Sequence, residues 1–125
     1  MSNPFVHTEL TTQNLKQSKD FYGKLFDWNL EDVPMADGST YTMIKVGETR
    51  EPGGTGGGMF EMKGAPPIWV PYVLVEDVKK ATEKAKSLGA HTIRENQEVP
   101  GMGWFSMFTD PQGAMIAIWQ AKPMA

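Results

Sequence analysis

Two ionisable side chains, His7 and Glu9, stand two residues apart in Phe5 to Thr11, a run that alternates like a strand. Strand geometry sends residues i and i+2 to one face, so an imidazole and a carboxylate share a side. Such a pair can tune its own protonation, because a nearby carboxylate favours the charged imidazole. It could serve as a proton acceptor, as an anchor for a ligand, or as two ligands of a metal ion. In the last case both side chains must lean together, since same-face neighbours lie roughly 6.5–7 Å apart at the backbone. The plain alternative is a histidine that bonds to a neighbour and only supports the fold. A second ionisable group on the same face makes that less comfortable, because a buried charge needs a partner.

The elements that must hold this pair are written twice. His7 to Leu30 falls on Val70 to Ile93 without a gap, an offset of 63. In each copy a strand leads into a helix and then into further strands. Asn14 is the expected N-cap of the first helix, where Leu15, Ser18, Tyr22, Leu25 and Phe26 recur at helical spacing. Asp77 is the expected cap of the second, with Val78, Ala81, Ala85 and Leu88 on one stripe and Gly89 just past its end. Trp28 to Val33, Thr40 to Val46 and Met59 to Met62 read as strands in the first copy. Trp69 to Val75, His91 to Asn96, Trp104 to Thr109 and Ala114 to Gln120 do so in the second. Ala36-Asp37-Gly38-Ser39 and Asp110-Pro111-Gln112-Gly113 are turns by composition. Glu48 to Gly58 reads as a loop. Lys63 to Pro67 is the linker, which gives module one over residues 1–64 and module two over 65–125 of a single domain. The order βαβββ twice, with one helix per module, implies an α+β fold: two tandem modules forming a curved mixed sheet around a cavity.

The repeat is lopsided where it matters. Val70 takes the place of His7 in the second copy, and Tyr72 takes the place of Glu9. Tyr72 is therefore expected on the cavity side, and Trp104, beside the Gly101-Met102-Gly103 turn, is expected with it. An aromatic and methionine lining suits a flat apolar or aromatic ligand. Trp28, Trp69 and Trp119 are read as packing or interface residues. The glycine run from Gly53 to Gly58 is no phosphate loop, since no Lys-Ser/Thr follows it and no helix starts there. His91 lacks a partner at metal spacing.

The chain has 125 residues, a net charge of −3 and no cysteine. These exclude disulfides, thiolate metal sites and cysteine nucleophiles, and they weigh against nucleic acid. No signal peptide is visible at the N-terminus, and no apolar run approaches the roughly 20 residues needed to span a bilayer. A cytoplasmic protein without a membrane partner is the expectation. There is no serine elbow or dinucleotide fingerprint.

The layout resembles the vicinal oxygen chelate superfamily of glyoxalases, bleomycin-binding proteins and extradiol dioxygenases. The matching pieces are His7-Thr8-Glu9-Leu10, Asp20-Phe21-Tyr22-Gly23-Lys24-Leu25-Phe26, Leu88-Gly89-Ala90 and Asp110-Pro111-Gln112-Gly113. Metal-dependent members carry ligands at four strand positions. The resemblance places these at His7, at Glu61, at Val70 and at Ala117. Valine and alanine have no lone pair to donate, while a catalytic zinc usually has at least three protein ligands. No metal and no cofactor are therefore expected. The implied function is metal-independent binding of a small molecule by His7, Glu9, Glu61, Tyr72 and Trp104. The alternative is a lyase, isomerase or dioxygenase with an incomplete ligand set, or with His7 as general base. Exposed sheet edges and the superfamily's habit of pairing four modules add the expectation of a homodimer.

Overall fold

The computed structural model describes residues 2–35, 37–47 and 55–123. The expected turn residue Ala36 and most of the Glu48 to Gly58 loop lie outside them. The chain has a mixed α+β fold with the element order βαβββ–βαβββ. By its contacts it divides into two compact units. One is His7–Val70; the other joins Met1–Val6 to Pro71–Ala125.

In the first unit, β1 (Phe5–Thr12) leads to α1 (Leu15–Leu25), then β2 (Asn29–Pro34), β3 (Thr40–Lys45) and β4 (Gly57–Glu61). The strand order is β2-β3-β4-β1, with β1 and β4 parallel and the other pairs antiparallel. Asn14 caps α1 as its short polar side chain suggested, accepting from the Gln17 N–H at 3.0 Å. The helix stops at Phe26, whose backbone turns extended. One face of the sheet packs on α1 through Leu10, Ile44 and Met59, against which Leu15, Tyr22, Trp28 and Leu30 lie. Burying each of the first three contributes about 1.5–3 kcal/mol.

The second unit repeats the plan. Its elements are β5 (Ile68–Leu74), α2 (Val78–Ser87), β6 (His91–Val99), β7 (Gly103–Thr109) and β8 (Met115–Ala121). The order is β5-β8-β7-β6, again with one parallel pair, β5 with β8. Asp77 caps α2 by accepting from the Lys80 N–H at 3.1 Å. Gly89 follows the helix at φ 102°, a left-handed turn open to glycine. A buried hydroxyl pair ties α2 to β7: Thr82 and Ser106 lie 2.7 Å apart, and Ser106 Oγ also accepts from the Asn96 N–H.

Three expectations are corrected here. β4 begins at Gly57, so the last two glycines of the expected loop are strand residues whose neighbours need them small. Leu25 and Phe26 are exposed rather than packed on the sheet, because the stripe ends one turn before the helix does. Leu88, expected on the α2 stripe, is exposed because α2 ends at Ser87 and Leu88 is its C-cap. Among the described residues, no helix is long and apolar enough to cross a membrane.

Candidate functional site

The site grows from the face of the first sheet turned away from α1. His7, Glu9 and Thr11 alternate onto that face from β1. The parallel register sets Glu9 beside Gly58 and Thr11 beside Phe60 of β4. The antiparallel register sets Tyr41 of β3 beside Phe60 and Met43 beside Gly58. Three strands thus deliver an imidazole, a carboxylate, a phenol and a second aromatic ring to one surface. The Tyr41 and Phe60 rings stack with centroids 6.3 Å apart.

Tyr41 is the hub. Its hydroxyl is 2.7 Å from His7 Nε2. It is also hydrogen-bonded to Glu9, which is only 3% exposed. A phenol has one proton to give. With Glu9 ionised that proton goes to Glu9, His7 Nε2–H then donates to the Tyr41 oxygen, and the row runs His7 to Tyr41 to Glu9. Burial first, and then the charge and hydrogen bond of Glu9, raise the Tyr41 hydroxyl far above the ordinary phenol range. Burial lowers His7 to about 4, so its imidazole is neutral at physiological pH.

Gly58 makes this row possible. A Cβ built there would fall inside the Tyr41 hydroxyl and its ring. The tyrosine ring therefore lies across the backbone of Gly58, and only glycine leaves it that path.

Glu61 does not belong to this face. It pairs with Thr12, one step out of phase with Glu9 and Gly58, and so shares the α1 side with Leu10 and Met59. Its carboxylate accepts from the Leu15 N–H at 3.1 Å, at the first turn of α1. The expectation that Glu61 faces the site with His7 is corrected: strand parity sends it to the helix, where an acceptor is wanted.

In the second unit, Tyr72 is 3% exposed and registers with Ala117, which registers with Met107. Its ring meets Phe105, centroids 6.0 Å apart. Trp104 is one residue out of phase. It pairs with Gln120 and so shares a face with Ser106, the α2 side, where the Lys122 ammonium sits 5.2 Å from its ring centroid. The expectation that Trp104 joins Tyr72 is corrected; Phe105 and Trp119, paired across β7 and β8, are aromatics on that face. Tyr41, Gly58 and Phe105 were not singled out by sequence reasoning. Only the pairing register, which a lone sequence does not display, reveals them.

The two registers also align the halves. Glu9 pairs with Gly58 as Tyr72 pairs with Ala117. The residue equivalent to Ala117 is therefore Gly58, not Glu61. The ligand place on β4 implied by resemblance thus becomes Gly58, and of His7 and Gly58 in this unit only His7 has a donor. These residues do not fit a superfamily-type metal centre. Among the described residues, no group of three or more His, Cys, Asp and Glu side chains could hold a metal ion.

Comparison with known proteins bears on the family and the fold. The family model described as "Glyoxalase/Bleomycin resistance protein/Dioxygenase superfamily" matches residues 5–118. "Putative glyoxylase CFP32" of Mycobacterium tuberculosis (strain CDC 1551 / Oshkosh) is 32% identical over 122 residues, covering 91% of this chain and 44% of that protein. The "Anthracycline biosynthesis protein DnrV" of Streptomyces peucetius is 29% identical, covering 93% of this chain and 46% of its own length. The chain thus spans less than half the length of these curated relatives. Among solved structures, the hypothetical protein BH1468 of Bacillus halodurans C-125 superposes with a TM-score of 0.65 at 16% identity, covering 100% of this chain and 99% of that one. Methylmalonyl-CoA epimerase of Mycobacterium tuberculosis does so with 0.67 at 14%, covering 95% and 88%. At such identities these two share the fold.

Proposed function

The chain belongs to the glyoxalase/bleomycin resistance protein/dioxygenase superfamily, and we propose that it binds a small organic molecule without a metal ion. The observation that carries this reading is the donor set. His7 is the one residue with a lone pair among the four implied ligand places, and its Nε2 is already bonded to Tyr41. The same row argues against the enzyme alternative with His7 as general base. An imidazole that takes a proton only near pH 4 is a weak base at neutrality. A phenol that holds its proton as tightly as Tyr41 does is a weak acid there.

The ligand class follows from the surface. Tyr41 and Phe60 offer stacked aromatic area beside the polar row of His7, Tyr41 and Glu9. That combination suits a flat, mostly apolar molecule with one or two polar groups. Anthracyclines are flat fused-ring aromatics, so the Streptomyces peucetius relative's name supports the same class. By its repeat position, Tyr72 is proposed as a ligand-contact residue on the aromatic face of its own unit. We also propose a homodimer, supported by the exposed Phe21, Leu25, Phe26 and Trp69, an apolar surface beyond scattered single residues. Its interface is expected above about 1,000 Å² in total, and light scattering at micromolar concentration measures the mass.

The deciding experiment is a binding screen of fused-ring aromatics on chelator-treated protein, with elemental analysis of the same sample. Saturable binding at one ligand per unit chain with no stoichiometric metal supports the proposal. One zinc, iron, nickel or manganese per chain, lost in His7→Ala, defeats it.

A further inference from the structure

The Tyr41 hydroxyl is a meeting point for two side chains that could otherwise ligate a cation. His7 Nε2 lies 2.7 Å from it, and Glu9 is hydrogen-bonded to the same oxygen. Zinc bonds to imidazole nitrogen and carboxylate oxygen are about 2.0–2.2 Å long. His7 Nε2 needs to close in by only about half an ångström to bond an ion in place of that oxygen, and Glu9 already reaches the same oxygen. Their i, i+2 spacing on β1 is therefore no bar to a common ligand position.

The same site shows why a third ligand is missing. Gly58 stands next to Glu9 across the β1–β4 pair, on a neighbouring strand about 4.8 Å away. A side chain there would point to the same spot. Yet any Cβ at this position overlaps Tyr41. The aromatic hydroxyl and a ligand from position 58 thus compete for one volume.

We infer that Tyr41 and a divalent transition-metal ion are alternative occupants of a single spot, and that His7 and Glu9 form a latent site of zinc or cobalt type, closed by Tyr41 and kept closed by Gly58. The inference rests on the reading of the protein as metal-independent and gives its physical reason. A histidine and a carboxylate together suit zinc and cobalt more than magnesium or calcium, which favour all-oxygen cages.

The test uses the full chain in four forms: unsubstituted, Tyr41→Ala, Tyr41→Ala with Gly58→His, and that double variant with His7→Ala. Each is stripped with chelator, checked for folding by circular dichroism, and titrated with zinc by calorimetry and with cobalt by visible absorption. The unsubstituted chain is expected to show no saturable uptake. Tyr41→Ala should bind zinc weakly. The double variant should bind one ion per chain at least tenfold more tightly than Tyr41→Ala, with the visible band of low-coordinate cobalt, and His7→Ala should abolish both. A folded double variant that binds no better than the unsubstituted chain overturns the inference. If the double variant does not fold, Tyr41→Ala decides: zinc affinity no higher than that of the unsubstituted chain overturns it equally. The two readings fail separately. Stoichiometric, His7-dependent zinc in the unsubstituted chain refutes metal-independent binding. A metal-free unsubstituted chain that binds aromatic ligands, but whose variants gain no zinc, refutes the latent site alone.

Discussion

Glu61 and Gln120 do the same job in the two halves of the chain. Glu61 Oε1 accepts from the Leu15 N–H at 3.1 Å, and Gln120 Oε1 accepts from the Val78 N–H at 2.9 Å. Each comes from the fourth strand of its module and reaches the first residue of its module's helix. A side-chain oxygen there satisfies one of the four N–H groups that every helix start leaves open. In the second half an amide oxygen suffices for the role that the carboxylate fills in the first.

This leads to a direct expectation. Glu61→Gln should leave stability within a few tenths of a kcal/mol, because the amide oxygen accepts as Gln120 does. Glu61→Ala should cost about 1 kcal/mol, the usual worth of a lost helix-start acceptor. Urea unfolding curves on the three proteins measure it. Equal losses for both substitutions would mean that charge, and not hydrogen bonding, holds the helix start.

Gly58 and Tyr41 should behave as one unit. Gly58→Ala alone must expel the Tyr41 ring from its place, breaking its bonds to His7 and Glu9, and should destabilise by about 1–3 kcal/mol. In a Tyr41→Ala background the same change has nothing to displace and should be near neutral. A double-mutant cycle therefore should return a coupling of at least 1 kcal/mol. Additive effects would show that the ring does not need the glycine.

His7 gives the fold a pH dependence of definite sign. Its imidazole is lowered from 6.5 to about 4 by burial. The unfolded chain therefore binds a proton that the folded chain refuses throughout that interval. Stability is full above about pH 6.5, falls as the pH drops toward 4, and gains no further slope from this group below that. The span corresponds to roughly 3–4 kcal/mol, each unit being about 1.4 kcal/mol. Denaturant midpoints collected between pH 4 and 8 should show this loss. His7→Gln should flatten it, and an unchanged slope in that variant would assign the effect elsewhere.

Much of the scaffold was legible before any coordinates. The caps Asn14 and Asp77 and the turn at Asp110 to Gly113 are local signals, each carried by residues a few positions apart, and the repeat offset of 63 is read by aligning the chain with itself. His7 and Glu9 sharing a face is likewise a local consequence of strand parity. What escaped was non-local. Glu61 and Trp104 were assigned to the site side because parity along one strand leaves the choice of face open until a neighbour fixes the phase. Thr12 fixes it for Glu61 and Gln120 fixes it for Trp104, and both choose the helix side. Tyr41 escaped because nothing in Thr40 to Val46 announces that a glycine on the next strand has cleared a path for its ring. Gly58 escaped because a glycine run reads as a flexible connection, and its strand role shows only beside Tyr41.

The glycine beneath the tyrosine ring has a consequence for how such a site can change over generations. Placing any ligand-bearing residue at position 58 collides with Tyr41, while removing Tyr41 first strips His7 and Glu9 of their shared partner. Either single step is harmful, and only the two together open a new arrangement. The two positions are thus locked against gradual exchange in either direction. Among related sequences they should be inherited as a matched pair: glycine at 58 wherever an aromatic hydroxyl stands at 41, and a larger polar residue at 58 only where position 41 is small. A broad family alignment that showed the two positions varying independently would break the lock.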